Sequence, residues 1–133
     1  MAYTTIDKPT DFFNIKLWTG NGSSGNAQTG VGFQPDLVWY KSRGTADSGG
    51  LQDSVRGATK NLYPNYSDAE NTIDGVSSFN SDGFTVGADN SANKNATAIV
   101  AWNWKAGTSF TNDASATGIG TIDSAGSFNN DAG

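Results

Sequence analysis

The sequence predicts an all-β protein, an antiparallel β-sandwich, and three observations carry that expectation. The 133 residues include 17 Gly and are thick with Asn, Ser, Thr and Asp, whereas Leu, Ile and Met are scarce. Glycine and asparagine tolerate positive φ and short polar side chains copy turn hydrogen bonds, so this balance favours short strands joined by many turns over helices. Four Trp, four Tyr and seven Phe then supply a few large side chains able to fill a thin, aromatic core. Finally, Ala101-Trp102-Asn103-Trp104 sets two indoles two residues apart, which puts both on one face of a strand. A chain of this length builds one core and no more.

Residues 1–11, with Pro9 among polar and charged neighbours, read as an extended leader. From Phe13 to Leu17 the pattern Phe-Asn-Ile-Lys-Leu alternates at the period of a half-buried strand, with Phe13, Ile15 and Leu17 expected to face the core. The Gly/Asn-rich run from Thr19 to Asn26 is a loop. Leu37-Val38-Trp39-Tyr40-Lys41 is a continuous apolar run of the kind found in a central strand covered on both faces, and Pro35 precedes it, where a missing N–H costs least. Leu51 to Gly57 predicts a short strand closed by glycine, and Lys60 to Tyr63 another, ended by Pro64. Asp68 to Asn71 supports no more than one helical turn. Val76 to Phe79, Asn80-Ser81-Asp82-Gly83 and Phe84 to Gly87 spell strand, turn, strand, a hairpin with Asp-Gly near its tip. The turn residues Asp89 to Asn95 lead into a last strand from Ala98 to Lys105. The β-domain is therefore placed at 12–107, and residues 108–133, small and polar for the most part, are read as a linker or tail.

Eight basic residues against thirteen acidic give a formal charge of −5, the wrong sign for a phosphate backbone, so nucleic acid is not an expected partner. Without Cys or His there is no disulfide, no thiolate metal site and no imidazole base, and neither a Ser-His-Asp nor a Cys-His enzyme can be built. The first residues lack the basic flank and apolar run of a signal peptide, and no apolar stretch approaches membrane-spanning length; synthesis in the cytoplasm and no membrane partner are expected. Glycoside hydrolysis needs a carboxyl group on each side of the scissile bond, yet Glu70 is the sole Glu and the Asp residues fall mainly in turns, so a non-enzymatic protein is expected. Gly20-Asn21-Gly22 lacks the downstream pattern of a phosphate loop, and no cofactor is assigned.

The candidate contact residues are Trp18, Trp39, Tyr40, Trp102, Trp104 and Arg56. An indole stacks under the apolar face of a pyranose while Asn and Asp bind its hydroxyls, although the commoner duty of a strand aromatic is packing against a second sheet. Trp39 and Tyr40 point to opposite faces, so at most one is core in a one-sided sheet. Arg56 lies three residues after Asp53: structurally the two pair across a bend, and functionally Arg56 would bind an acidic sugar or a partner's carboxylate. Asp82, Asp89, Asn90, Asn93 and Asn95 offer oxygen atoms to Ca²⁺. Their spacing lacks the acidic run closed by a bidentate Glu, turn chemistry explains them, and no metal is assigned.

Read in order, Leu17-Trp18-Thr19-Gly20-Asn21-Gly22, Gly32-Phe33-Gln34-Pro35-Asp36-Leu37-Val38-Trp39-Tyr40-Lys41, Asp53-Ser54-Val55-Arg56-Gly57-Ala58, Asp82-Gly83-Phe84-Thr85-Val86-Gly87 and Ala101-Trp102-Asn103-Trp104-Lys105-Ala106-Gly107 closely resemble a module of tailed-bacteriophage virion proteins, many of them marine. The resemblance covers about residues 12–107, and its specificity lies in the order of the five motifs. It implies a concanavalin-like, jelly-roll β-sandwich, here an incomplete or N-terminal unit with extended termini. Proteins similar to it are usually longer, with further copies of the unit, so the chain is either a naturally short protein or the N-terminal part of a longer one. Such proteins are described as tail-fibre, appendage or structural proteins. The implied function is that of a virion structural component (fibre, appendage or capsid decoration). Its partners are other virion proteins and further copies of itself in a homo-oligomer, joined through sandwich faces, edge strands and extended termini. The alternative is a lectin-like module that contacts host surface glycans through Trp18, Trp39 or Trp102 and the Asn-rich loops. Two coplanar, exposed indoles beside carboxamides would favour that alternative.

Overall fold

The computed structural model describes residues 9–106 and, as backbone, two further strands at 108–112 and 124–128. A 3-10 turn, Pro9–Asp11, precedes β1 (Phe13–Thr19) and β2 (Asn26–Thr29). The chain continues through β3 (Leu37–Ser42), β4 (Gly50–Asp53), β5 (Lys60–Asn61), β6 (Asn71–Thr72), β7 (Val76–Asn80) and β8 (Gly83–Val86). A single helical turn, α1 (Asn90–Asn93), leads to β9 (Ala98–Trp104). One sheet has the order β1-β9-β3-β4 and the other β2-β8-β7, every pair antiparallel, and the two pack together as an all-β sandwich. By itself, the second unit contains β10 (Thr108–Asn112) and β11 (Ser124–Phe128), paired antiparallel with Thr108 opposite Phe128, where a linker or tail was expected. The leader lies outside the described residues as far as residue 8.

The predicted hairpin forms: β7 and β8 pair through Asn80 and Gly83, with Ser81-Asp82 between them. Asp82 does more than turn the chain. Its carboxylate accepts the N–H groups of Gly30 and Gly32, 2.9 and 2.7 Å away, and these two bonds hold it below its ordinary pKa of 3.8. Asp68 to Glu70 forms no helical turn; the helix falls instead at Asn90, where the Asp89 carboxylate caps the N–H of Ser91 at 2.8 Å. β9, the expected last strand, is the second strand of its sheet, flanked by β1 and β3.

Strand parity decides what lies between the layers. Val38, Tyr40, Ile99 and Ala101 point inward and are fully buried, and Val38, Tyr40 and Ala101 join Val31, Phe33, Val76, Phe84 and Val86 in the core cluster. Trp18 packs against this cluster, its ring edge-on to Phe84 at 5.7 Å. Several inward positions are carboxamides. Gln52 of β4 meets the backbone of β7, accepting from Val76 N at 2.7 Å and donating to Val76 O at 3.2 Å. Asn103 donates to Asn14 O at 3.1 Å, and Asn14 reaches Val31 O at 2.9 Å. Asn93 accepts from Asn21 N and Asn26 Nδ2, and donates to Asn21 Oδ1, Ser23 O and Gly87 O, pinning the β1-β2 loop, the first residue of β2 and the loop after β8 to one buried amide.

Phe13, Ile15 and Leu17, expected to face the core, point outward, with Ile15 51% and Leu17 56% exposed. The alternation was real, but the opposite parity, Asn14-Lys16-Trp18, lies toward the other sheet. β3 is likewise covered on one face only, since Trp39 on its outer side is 39% exposed.

Candidate functional site

The outer face of the four-stranded sheet is assembled by cross-strand register. Ile15 of β1 stands opposite Trp102 of β9, which stands opposite Trp39 of β3, which stands opposite Leu51 of β4. The row toward one end holds Phe13, Trp104 and Leu37, and the row toward the other holds Leu17, Val100 and Lys41. Trp39 and Trp102 contact each other with centroids 5.3 Å apart and planes tilted by 46°, and Phe13 meets Trp104 at 5.1 Å. Cross-strand aromatic pairs of this kind stabilise a sheet by about 0.2–1 kcal/mol each, yet here they do so on the face turned away from the second sheet of the sandwich.

Both edges of this sheet are guarded. On β1 the central Lys16 turns toward the other sheet, and its ammonium donates to Thr29 O at 2.5 Å. An inward-pointing charge in an edge strand blocks the addition of another strand. On the far side, Leu51 and Leu62 exchange both backbone hydrogen bonds, at 2.9 and 3.0 Å, and so cover β4.

A cleft of about 360 Å³ opens where the outer face meets the loop between β3 and β4. Trp39 and Trp102 form its aromatic wall, and Lys41, Asp47, Pro64 and Asn65 line the remainder. The loop is held in shape. Lys41 Nζ donates to Ser42 O and Asp47 O at 3.1 and 2.6 Å, Thr45 Oγ1 donates to Asp47 Oδ2, and Lys94 Nζ reaches the same carboxylate at 3.1 Å. The Thr45 hydroxyl first, and then Lys94, hold the Asp47 carboxyl below its ordinary pKa. Asn65 bridges to Ser48 Oγ at 3.4 Å.

Residues 8–133 match the family model described as a domain of unknown function, DUF7483. The chain belongs to this family. No curated protein and no solved structure matches it. The DUF7483 description assigns no activity, ligand or partner, so the site is read from its geometry.

Of the six candidate contact residues, the DUF7483 fold brings Trp39, Trp102 and Trp104 together on the outer face. Tyr40 is removed from candidacy: it is fully buried, and burial drives its phenol pKa upward against an opposing hydrogen bond to Ser91. Trp18 is likewise occupied with the core. Arg56 is tied to Asp53 at 2.5 Å, Glu70 at 3.0 Å and Leu51 O at 3.2 Å, the structural pairing across a bend. Burial opposes the ionised Asp53, but the bonds and charge of Arg56 prevail and leave its pKa lowered. Asp82 and Asp89 are spent on backbone N–H groups and Asn93 on its loops; among the described residues no three acidic side chains form a metal-binding group. No described helix is long and apolar enough to cross a membrane. Lys41, Asp47 and Asn65 escaped the sequence reading, because a loop is folded over an aromatic pair only in three dimensions.

Proposed function

We propose that this domain is a non-enzymatic assembly module of a tailed-phage virion, joining neighbouring subunits through the outer face of its four-stranded sheet. The observation that carries this reading is the apolar row Ile15-Trp102-Trp39, with Ile15 and Trp39 exposed and Trp102 half-buried between them, on a sheet whose edges are closed to strand addition. Contiguous exposed apolar surface favours contact with another protein, and guarded edges direct that contact to the face. The virion context rests on the resemblance of the five ordered motifs. The face measures about 19 by 20 Å, roughly 400 Å² in projection, and is small beside the ~800 Å² that each partner contributes to a stable pair. A weak pairwise contact repeated many times is the regime of an array, in which effective concentration supplies what each contact lacks.

An antibody raised against the domain is expected to label purified particles of the phage encoding it in electron microscopy. Particles without label and without its peptides on digestion defeat the virion reading. In dilute solution the domain is expected to sediment as a monomer and to associate reversibly as concentration rises.

The glycan-binding alternative draws on the cleft, where indoles adjoin carboxylate and carboxamide groups. The 46° tilt of the two rings denies a sugar a flat double platform and favours the assembly reading.

A further inference from the structure

We propose that the cleft is the socket of the outer face and receives Val55 of a second copy in a head-to-tail contact. This rests on the assembly reading above and names the partner of that site. Val55 is 93% exposed. A lone exposed valine is ordinary, but this one tops a turn fixed from every side. Ser54 N and Ser54 Oγ donate to Asp36 at 2.9 and 2.8 Å, Arg56 N donates to Asp53 Oδ1 at 2.8 Å, and Gly57 N to Asp53 O at 3.1 Å. The Arg56 guanidinium then clamps Asp53, Glu70 and Leu51 O. Presenting an apolar tip on a preorganised turn lowers the ordering cost of docking it.

The socket suits such a tip. Its indole walls offer apolar surface to an isopropyl group in a cleft of about 360 Å³. Charge is complementary. Asp36, Asp53 and Glu70 outnumber Arg56 at the turn and leave it acidic, whereas Lys41 and Lys94 against Asp47 leave the cleft and its surroundings one positive charge in excess.

Val55 cannot reach its own socket. Leu37 pairs with Asp53 at one end of the β3-β4 hairpin and Tyr40 with Gly50 at the other, so the Val55 turn follows one end and the 46–49 loop of the cleft lies beyond the other, the two ends about 10 Å apart along the strands. A tip at one end and a socket at the other make a heterologous contact, which propagates into a ring or an open filament instead of closing as a twofold dimer.

The test is sedimentation of the whole chain over a wide concentration range, with far-UV circular dichroism to verify folding. For the natural chain the weight-average mass should climb past that of a dimer. Val55→Ser, which removes the tip, and Trp39→Ser, which opens the socket, should each weaken association about ten-fold or more. An equimolar mixture of the two variants retains one intact tip and one intact socket, and should form dimers that grow no further. If Val55→Ser associates like the natural chain while Leu17→Asp does not, the face assembles and the tip-in-socket contact is wrong. If the natural chain remains monomeric at every concentration, the contact and the assembly reading both fall.

Discussion

The two faces of the four-stranded sheet depart from the usual pattern in opposite ways. The face turned toward the second sheet carries Asn14, Lys16, Gln52 and Asn103 among its apolar residues, whereas the outer face carries Phe13, Ile15, Leu17, Trp39, Trp102 and Trp104. Polarity alone therefore does not report burial here: Gln52 and Asn93 are buried with partners for both ends of their amides, whereas Asn103 Oδ1 and Asn61 Nδ2 are buried and find none among the described residues. Gln52 is buried because Val76 supplies both a donor and an acceptor, and a buried amide with its partners costs little. The outer aromatics contact one another, which stiffens the sheet without hiding it.

The largest way to sharpen this contrast is Phe84→Ala, on the partner sheet beneath the inner face. Phe84 is fully buried against Trp18, and its truncation should cost about 3–5 kcal/mol, read as a fall in the urea midpoint. Asn93→Ala should follow at about 2–3 kcal/mol, because it strands the buried groups that one amide now satisfies. An apolar residue of equal size that restored stability would refute the satisfaction argument.

Asp82 provides a pH test. Its folded pKa is depressed, so its contribution is fully present above the ordinary value of 3.8 and is lost as pH falls through the folded pKa. Asp82→Asn should therefore lie below the natural chain in stability at neutral pH, with the gap closing under acid conditions. A constant gap from pH 7 to pH 2 would show that the carboxylate's charge is not what Gly30 and Gly32 recognise. On the outer face, Ile15→Thr with Leu17→Thr should change stability by less than about 1 kcal/mol while reducing self-association. The smallest effect on stability is expected from Lys16→Val, within about 0.5 kcal/mol. Light scattering should nevertheless reveal new edge-to-edge aggregation once the inward ammonium is gone.

Much of the fold was readable from residue order, and the reasons are local. Alternation located β1, the apolar run located β3, Asp-Gly located the β7-β8 turn, and the Trp pair located β9. What alternation cannot assign is the side. In β1 each parity carries a large aromatic, Phe13 on one and Trp18 on the other, and choosing by hydrophobicity selected the wrong set. The information that reverses the choice sits far away, in the backbone groups of Val31, Thr29 and Val76 that accept inward amides and an ammonium. The candidate site was half visible for the same reason. Its indoles lie on regular strands, whereas Lys41, Asp47 and Asn65 join them only after the 43–49 loop folds over.

The clasp between Gln52 and Val76 has a mechanical meaning. Greasy contacts between stacked sheets resist separation but permit gliding, because one methyl group substitutes for another. Two oppositely directed bonds from one amide permit no such exchange: a shift of one residue along the strand would misalign both. The layers are dowelled, and traction parallel to the strands, the load borne by a link in a fibre, must snap that peg before the sheets can slip.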